Sequence, residues 1–127
     1  MKTNHQNLRV LLVDDAPSIL LPLEHLLHKS GFLVMTAQSG TEAIETIKEE
    51  LPHVVVLDVM LPDMDGFEVC RYIRSKSGLE GIKVIFLSAR SKEVDVEKGY
   101  DAGADLYVVK PFSPGYLIEK IKELTGT

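Results

Sequence analysis

The sequence is most informative at residues 54–66, which read VVVLDVMLPDMDG. The stretch opens with an unbroken run of valine and leucine, as expected for a strand covered on both faces of a parallel sheet. It closes with Asp65 and Gly66, and Glu68 follows Asp65 at the spacing of a capping box, which favours a helix start. We therefore expect a buried strand, an aspartate-rich loop and a helix in direct succession.

The same alternation of strand and helix extends in both directions from this stretch. Short runs rich in valine, isoleucine and leucine recur, and the segments between them are long enough for helices. This spacing favours crossover connections between parallel strands rather than hairpins. The predicted strands are residues 9–13, 32–36, 54–57, 83–87 and 106–109. We predict an α/β fold, with a doubly wound, five-stranded parallel sheet of order 2-1-3-4-5 and five helices.

Local signals predict where the helices begin and end. Ser39 caps the second helix, and Ser113, followed by a proline, caps the fifth. Gly31 ends the first helix, because glycine readily adopts the left-handed conformation found after helix ends. Pro22 falls inside that helix and predicts a kink or a late start. The fourth helix, at about residues 92–102, has a thin apolar face among many charges.

Length and composition limit the classes to which the protein can belong. Its 127 residues, 45% apolar and 26% charged, suit one soluble domain, predicted over residues 1–127 with a core at about 8–125. No apolar run could cross a bilayer, and residues 1–8 do not read as a signal peptide. We therefore expect a cytoplasmic protein with no membrane partner. The net charge of −5 argues against direct binding to nucleic acid.

Polar residues that can do chemistry follow the predicted strands. Asp14 and Asp15 follow the first strand, Asp58 the third, Ser88 the fourth and Lys110 the fifth. In open parallel sheets, ligands bind at the carboxyl ends of the strands, beside the point where the strand order reverses. With the order 2-1-3-4-5, these side chains are expected to converge at one edge of the sheet.

A cluster of carboxylates requires a counter-charge. Aspartates held close together repel, and they either raise one another's pKa or recruit a cation, for which an all-oxygen site favours Mg²⁺. Mg²⁺ and Lys110 could neutralise the oxygens of a phosphoryl group while one carboxylate attacks phosphorus, which would yield an aspartyl phosphate. Taken singly, each aspartate or Ser88 could be a turn or helix cap, and Lys110 a surface lysine.

Four ordered motifs carry a family resemblance. They are Val13-Asp14-Asp15, residues 58–66, Ser88-Ala89-Arg90 and Lys110-Pro111-Phe112. The chain resembles the receiver domains of two-component response regulators from about residue 9 to residue 124, and ordered motifs are far more specific than any one alone. The resemblance implies a flavodoxin-like topology, for which the chemotaxis receiver is a standard example.

The resemblance implies a role for each residue of the carboxylate cluster. Asp58 would be the phosphoacceptor that attacks a phosphohistidine. Asp15 and Asp58 would bind Mg²⁺ directly, and the backbone carbonyl of Met60 would add a third protein ligand. Asp14 would act through a coordinated water. The implied cofactor is therefore Mg²⁺ alone.

The resemblance also implies how the site would signal. Lys110 would pair with the phosphoryl oxygens, and Ser88 would donate its hydroxyl to one of them, with a cis peptide bond before Pro111. Ser88 and Tyr107 are similar to the family's switch pair, in which Tyr107 turns inward from a solvent-facing rotamer and changes the surface of the fourth helix, fifth strand and fifth helix. The implied partners are a sensor histidine kinase or phosphotransfer protein and a downstream output protein or domain.

Two local features limit this resemblance. The large DNA-binding subfamily tends to carry charged residues for receiver dimers where this chain has Leu106 and Tyr116, so that dimer is not expected. The segment Asp63-Met64-Asp65-Gly66 matches only part of a calcium loop, and we predict a turn and helix cap there, without a calcium site.

Other functions are compatible with the same fold. One alternative is a protein-interaction module that works without phosphorylation. A hydrolase of external phosphate esters would need a substrate pocket, for which the sequence offers no insertion, and a flavin protein would need backbone amides where Asp14 and Asp15 stand. We predict a signalling domain that promotes only its own phosphorylation and dephosphorylation, and not an enzyme acting on other substrates.

Overall fold

Strands and helices alternate along the chain, as the apolar pattern predicts. The structure is a computed structural model, and it describes residues 8–127. The strands are β1 (Arg9–Val13), β2 (Leu33–Ala37), β3 (Val54–Leu57), β4 (Lys83–Ser88) and β5 (Leu106–Val109). The helices are α1 (Pro17–Lys29), α2 (Gly40–Glu50), α3 (Gly66–Ser75), α4 (Glu93–Asp101) and α5 (Pro114–Thr125).

The strands form one parallel sheet in the order β2-β1-β3-β4-β5, which confirms the predicted topology. β1 lies beside β3, with Val13 paired to Leu57, so the residues that follow these strands emerge side by side. β4 lies beside β5, with Ser88 paired to Val109. Because all five strands are parallel, their carboxyl ends lie at one edge of the sheet, and the strand order places those of β1, β3, β4 and β5 next to one another.

Helices cover both faces of the sheet, so successive residues of a central strand are buried on opposite sides. In β1, Leu11 and Val13 belong to the core cluster under α2 and α3, whereas Val10 and Leu12 belong to the cluster under α1 and α5. All four are at most 2% exposed. This double burial explains why the strands read as continuous apolar runs instead of alternating ones.

The structure corrects three predicted boundaries. β2 runs one residue later than predicted, and Phe32 instead packs in the core beside α1. β4 ends one residue later than predicted and includes Ser88. For Pro22 a kink or a late start of α1 was predicted, and the late start is wrong, because the helix begins at Pro17 and contains Pro22. Pro22 is exposed, so water can bind the Ser18 carbonyl that the proline leaves without an amide donor.

Residues 1–7, which were predicted not to form a signal peptide, lie outside the described residues. Within the part of the chain that the structure describes, no helix has the length and apolar character to cross a membrane.

Candidate functional site

The ammonium group of Lys110 lies between two of the predicted aspartates. Its Nζ donates to Asp14 Oδ2 at 3.0 Å and to Asp58 Oδ2 at 3.3 Å. The side chains of Asp14 and Asp58 are 7% and 13% exposed, so both carboxylates are largely removed from water. Residues that follow β1, β3 and β5 thus meet in one charge-assisted network, where hydrogen bonds are stronger than those between neutral groups.

The protonation of Lys110 reflects this network. Burial opposes its charge and by itself lowers its pKa. The hydrogen bond to Asp14 and the negative charges of Asp58 and Asp14 outweigh the burial, so the pKa of Lys110 is raised above its ordinary value. Lys110 is therefore a permanent cation at physiological pH, placed to meet negative charge at Asp58.

The backbone holds Asp58 at its place beyond β3. Its amide donates to the Val13 carbonyl at 3.0 Å, and its Oδ1 accepts the Met60 amide at 3.3 Å. Gly66 lies against it so closely that a Cβ at Gly66 would come within 2.3 Å of the Asp58 carbonyl oxygen. The Gly66 amide also donates to the Val59 carbonyl at 2.6 Å. Asp58 therefore sits in a tightly closed loop, with one carboxylate oxygen directed at Lys110.

The donor set around Asp58 suits a hard cation. Asp15 is exposed, and the Met60 side chain is also turned to solvent. Residues 8–127 contain no group of three or more acidic, histidine or cysteine side chains that could hold a metal ion. The predicted ligands do not need such a group, because they comprise two direct carboxylates, from Asp15 and Asp58, and a backbone carbonyl. These are oxygen donors of the kind that fits Mg²⁺ and not softer metals.

Ser88 joins the site through the end of β4. It is 1% exposed, its carbonyl accepts the Lys110 amide at 2.8 Å, and its Oγ accepts the Arg90 amide at 3.1 Å. The peptide bond between Lys110 and Pro111 is cis, as predicted. The Ser88 hydroxyl proton is not committed to Arg90, because Oγ is the acceptor in that bond. The Ser88 side chain also forms a hydrogen bond with the Tyr107 phenol, which acts to lower the pKa of that phenol. To donate to a group bound beside Asp58, the Ser88 hydroxyl would have to leave Tyr107.

The orientation of Tyr107 differs from the prediction. A solvent-facing rotamer was expected in the unmodified protein, but Tyr107 is only 8% exposed and its hydroxyl donates to the Arg90 carbonyl at 2.8 Å. Its amide donates to the Tyr100 hydroxyl at 3.1 Å. Burial raises the pKa of the Tyr107 phenol. The ring thus already occupies the inward position that was assigned to the active state.

The loop after Asp58 is anchored by Asp63, for which the sequence predicts only a place in a turn. Asp63 accepts the Gly40 and Thr41 amides, each at 2.8 Å, and the Thr41 hydroxyl at 2.5 Å. These bonds hold the pKa of Asp63 low, at about 2, with the Thr41 hydroxyl as the largest cause. An anion here also complements the amino end of α2. The loop and α2 are distant in sequence, so no local signal identified this contact.

The comparisons with known proteins agree with this architecture. The family model described as the response regulator receiver domain matches residues 10–122. The chain is 40% identical over 93% of its length to PhoP, the alkaline phosphatase synthesis transcriptional regulatory protein of Bacillus subtilis, of which it covers 48%. It is 44% identical over 91% of its length to the transcriptional regulatory protein GltR of Pseudomonas aeruginosa, again covering 48%.

A solved structure supports the same assignment. The chemotaxis response regulator CheY4 of Vibrio cholerae matches with a TM-score of 0.86 and 31% identity, over 92% of this chain and 98% of that one. The chain thus spans about half the length of the two transcriptional regulators and nearly all of the chemotaxis protein. From the match of the family model and these identities, the chain belongs to the response regulator receiver domain family.

Proposed function

We propose that Asp58 is the phosphoacceptor of this receiver domain and takes a phosphoryl group from a phosphohistidine on a sensor histidine kinase or phosphotransfer protein. The observation that carries the proposal is the placement of Lys110 Nζ within 3.3 Å of Asp58 Oδ2. A fixed cation at that oxygen is positioned for the negative charge that a phosphoryl group would bring. Asp14 shares the same ammonium and keeps it in place.

The transfer follows from the chemistry of the carboxylate. A carboxylate oxygen of Asp58 attacks phosphorus in line, the new oxygen–phosphorus bond forms, and the phosphorus–nitrogen bond to the donor histidine breaks. The electron pair of the broken bond leaves with the imidazole, which takes a proton. Lys110 pairs with one phosphoryl oxygen, and the Ser88 hydroxyl donates to another. The product is a mixed anhydride of Asp58.

The proposed metal ligands are the Asp15 and Asp58 carboxylates and the Met60 carbonyl, with Asp14 acting through a coordinated water. Bound Mg²⁺ would supply positive charge to the phosphoryl oxygens that Lys110 does not reach. The protein's own part is to hold the carboxylates in place. The closed loop between Asp58 and Gly66 and the anchor of Asp63 on α2 support this placement.

We also propose that phosphorylation acts on partners through α4, β5 and α5. Ser88 lies on β4 and Tyr107 on the neighbouring strand β5. The Tyr107 hydroxyl donates to the Arg90 carbonyl in the loop between β4 and α4. A phosphoryl group that draws Ser88 toward it favours the inward orientation of the Tyr107 ring. It does so by increasing the fraction of molecules that already have an inward ring, without creating a new conformation. The inward Tyr107 of this structure is consistent with such a pre-existing population.

The matched relatives include transcriptional regulators, about half of whose length this chain covers. We propose that this domain controls an output protein or domain and does not itself contact DNA. Its net charge of −5 supports this, because binding to the phosphate backbone depends on many lysine and arginine contacts. We further propose that residues 1–127 form one domain, which turns over no substrate other than its own phosphoryl group.

The test is intact mass after incubation with acetyl phosphate and Mg²⁺. The parent should gain one phosphoryl group, and Asp58→Asn should gain none. Asp101→Asn, which neutralises an exposed aspartate on α4, is the matched control and should behave as the parent does. The adduct should not form when the metal is chelated before acetyl phosphate is added. A folded parent that never gains the adduct would contradict the proposal and favour an interaction module that works without phosphorylation.

A further inference from the structure

The helix α4 approaches the sheet through a residue that has no side chain. The buried residues of α4 are Asp95 and Gly99. Gly99 does not have a positive φ, so its backbone conformation is open to any residue. Glycine inside a helix is unfavourable relative to alanine, because it loses more conformational freedom on folding. The glycine at this position therefore calls for a steric explanation.

That explanation lies in the ring of Tyr107. A Cβ on Gly99 would stand 2.7 Å from Tyr107 Cδ2, 3.1 Å from its Cε2 and 3.3 Å from Phe86 Cδ2. Carbon atoms in good contact are about 3.5–4.0 Å apart, so at least one of these groups would have to move. The inward ring of Tyr107 thus occupies the space that a methyl group on residue 99 would need.

Of the two rings, Tyr107 is the one that can yield. Phe86 is fully buried, with ring centroids 5.3 Å from Phe67 and 5.8 Å from Tyr107, so it is enclosed on both sides. Tyr107 lies on the edge strand β5, and its ring can reach solvent by rotating about χ1 to another staggered well. The inward ring is held by its hydroxyl bond to the Arg90 carbonyl, which an outward ring would lose.

We propose that Gly99 is a positioning residue for the switch: the absence of a side chain at this position admits the inward orientation of Tyr107, and any side chain there drives the ring outward. This inference rests on the proposed function, in which the inward ring is the state that a phosphoryl group favours. Residue 99 then sets the fraction of molecules with an inward ring. It does so without touching Asp58 or the phosphoryl group.

The direct test is the environment of the Tyr107 ring in Gly99→Ala. The ring is observed by NMR in protein with isotope-labelled tyrosine, and its signals are assigned by their loss in Tyr107→Phe. In the parent, burial raises the pKa of this phenol. In Gly99→Ala, the ring should show solvent-exposed shifts, and the pKa should fall back toward its ordinary value.

The matched control is Gly115→Ala. Gly115 is also helical, in α5, and the nearest atom to a Cβ there is Ser113 Oγ at 3.7 Å, which is ordinary contact. The Tyr107 signals of Gly115→Ala should equal those of the parent. A ring that stays inward in Gly99→Ala, with α4 displaced instead, would overturn the inference.

The functional readout is the affinity for beryllofluoride, a phosphoryl mimic, in the presence of Mg²⁺. If the inward ring and the phosphoryl group favour each other, Gly99→Ala should weaken mimic binding by about 5-fold or more, within the usual range of coupling between sites. Parent-like binding in Gly99→Ala despite an outward ring would also overturn the inference. A parent that binds no mimic would instead contradict the proposed function, while the ring measurement, which needs no phosphoryl group, still tests Gly99.

A double variant keeps the test decisive if Gly99→Ala fails to fold. In the background Tyr107→Val, the ring is gone, so Gly99→Ala should raise the folding equilibrium constant several-fold through the helix preference of alanine. In the parent background, the same substitution should lower that constant. A decrease in both backgrounds would show that the obstacle is not Tyr107, and would overturn the inference.

Discussion

The cation of Lys110 should contribute measurably to folding, and Lys110→Met is the substitution that isolates it. Methionine keeps most of the apolar stem and removes the charge. In the parent, the ammonium pairs with Asp14 at 3.0 Å and with Asp58 at 3.3 Å. Without it, two largely buried carboxylates lose the cation that both share.

The expected size of the effect follows from the burial of the three side chains. Breaking a buried ion pair costs about 3–5 kcal/mol, whereas an exposed pair contributes at most about 1 kcal/mol. The side chain of Lys110 is 19% exposed, and those of Asp14 and Asp58 are 7% and 13% exposed. We therefore expect a loss of about 2–3 kcal/mol without metal, or roughly 10 °C in Tm for a domain of this size.

The assay is thermal and urea unfolding with and without millimolar Mg²⁺. Because the repulsive ammonium is gone, Mg²⁺ should bind Lys110→Met more tightly than the parent and raise its Tm by more. Lys120→Met is the control, because Lys120 pairs at 3.2 Å with Glu123 at the surface, and its midpoint should stay near that of the parent. Parent-like stability of Lys110→Met without metal, or equal stabilisation of both proteins by Mg²⁺, would show that Lys110 does not stabilise the two aspartates.

Two further predictions concern the loop after Asp58 and the opposite end of the sheet. Gly66→Ala should lower the free energy of unfolding in urea by about 3 kcal/mol, since its Cβ would stand 2.3 Å from the Asp58 carbonyl oxygen. The control is Gly81→Ala, because no atom lies within 4 Å of a Cβ at that position. Equal unfolding midpoints of the two variants would contradict the predicted clash. The Nδ1 of His53 accepts the Arg9 amide at 3.0 Å, and burial, then the charge of Arg9, lower the pKa of His53 from 6.5. The neutral His53 therefore contributes stability that is present above pH 6.5 and is lost as the pH falls through its lowered pKa. His53→Asn keeps a hydrogen-bond acceptor but does not titrate, so the parent should lose more stability on acidification than this variant does. Identical pH profiles of the two proteins would contradict this prediction.

The fold was predictable where local signals are strong. The bounds of β1, β3 and β5 are those predicted from the apolar runs. β1 and β3 are each followed directly by an aspartate, which marks the boundary clearly. β2 was misplaced by one residue because it is an edge strand with mostly half-buried residues, so its pattern is weaker. Pro22 did not delay α1, because it lies on an exposed side of the helix, where the Ser18 carbonyl that loses its amide donor is open to solvent.

The site was predictable to the level of strand ends. The rule that ligands meet at the carboxyl ends of parallel strands was enough to group Asp14, Asp58 and Lys110, and the structure brings these side chains into contact. The rule says nothing of how Lys110 divides its bonds between the two aspartates. It also does not reveal Asp63, whose partners lie on another helix.

The amino-acid sequence was sufficient for the order of elements and for the residues placed at the strand ends, because hydrophobic period, helix caps and strand-ending polar residues are properties of neighbours in the chain. The orientation of Tyr107, the close approach of α4 at Gly99 and the anchoring of Asp63 could be read only from the folded chain. Each depends on a distance between side chains or backbones of different elements. Such distances arise when helices and strands pack to high density, and a difference of one methyl group is then enough to choose between two rotamers.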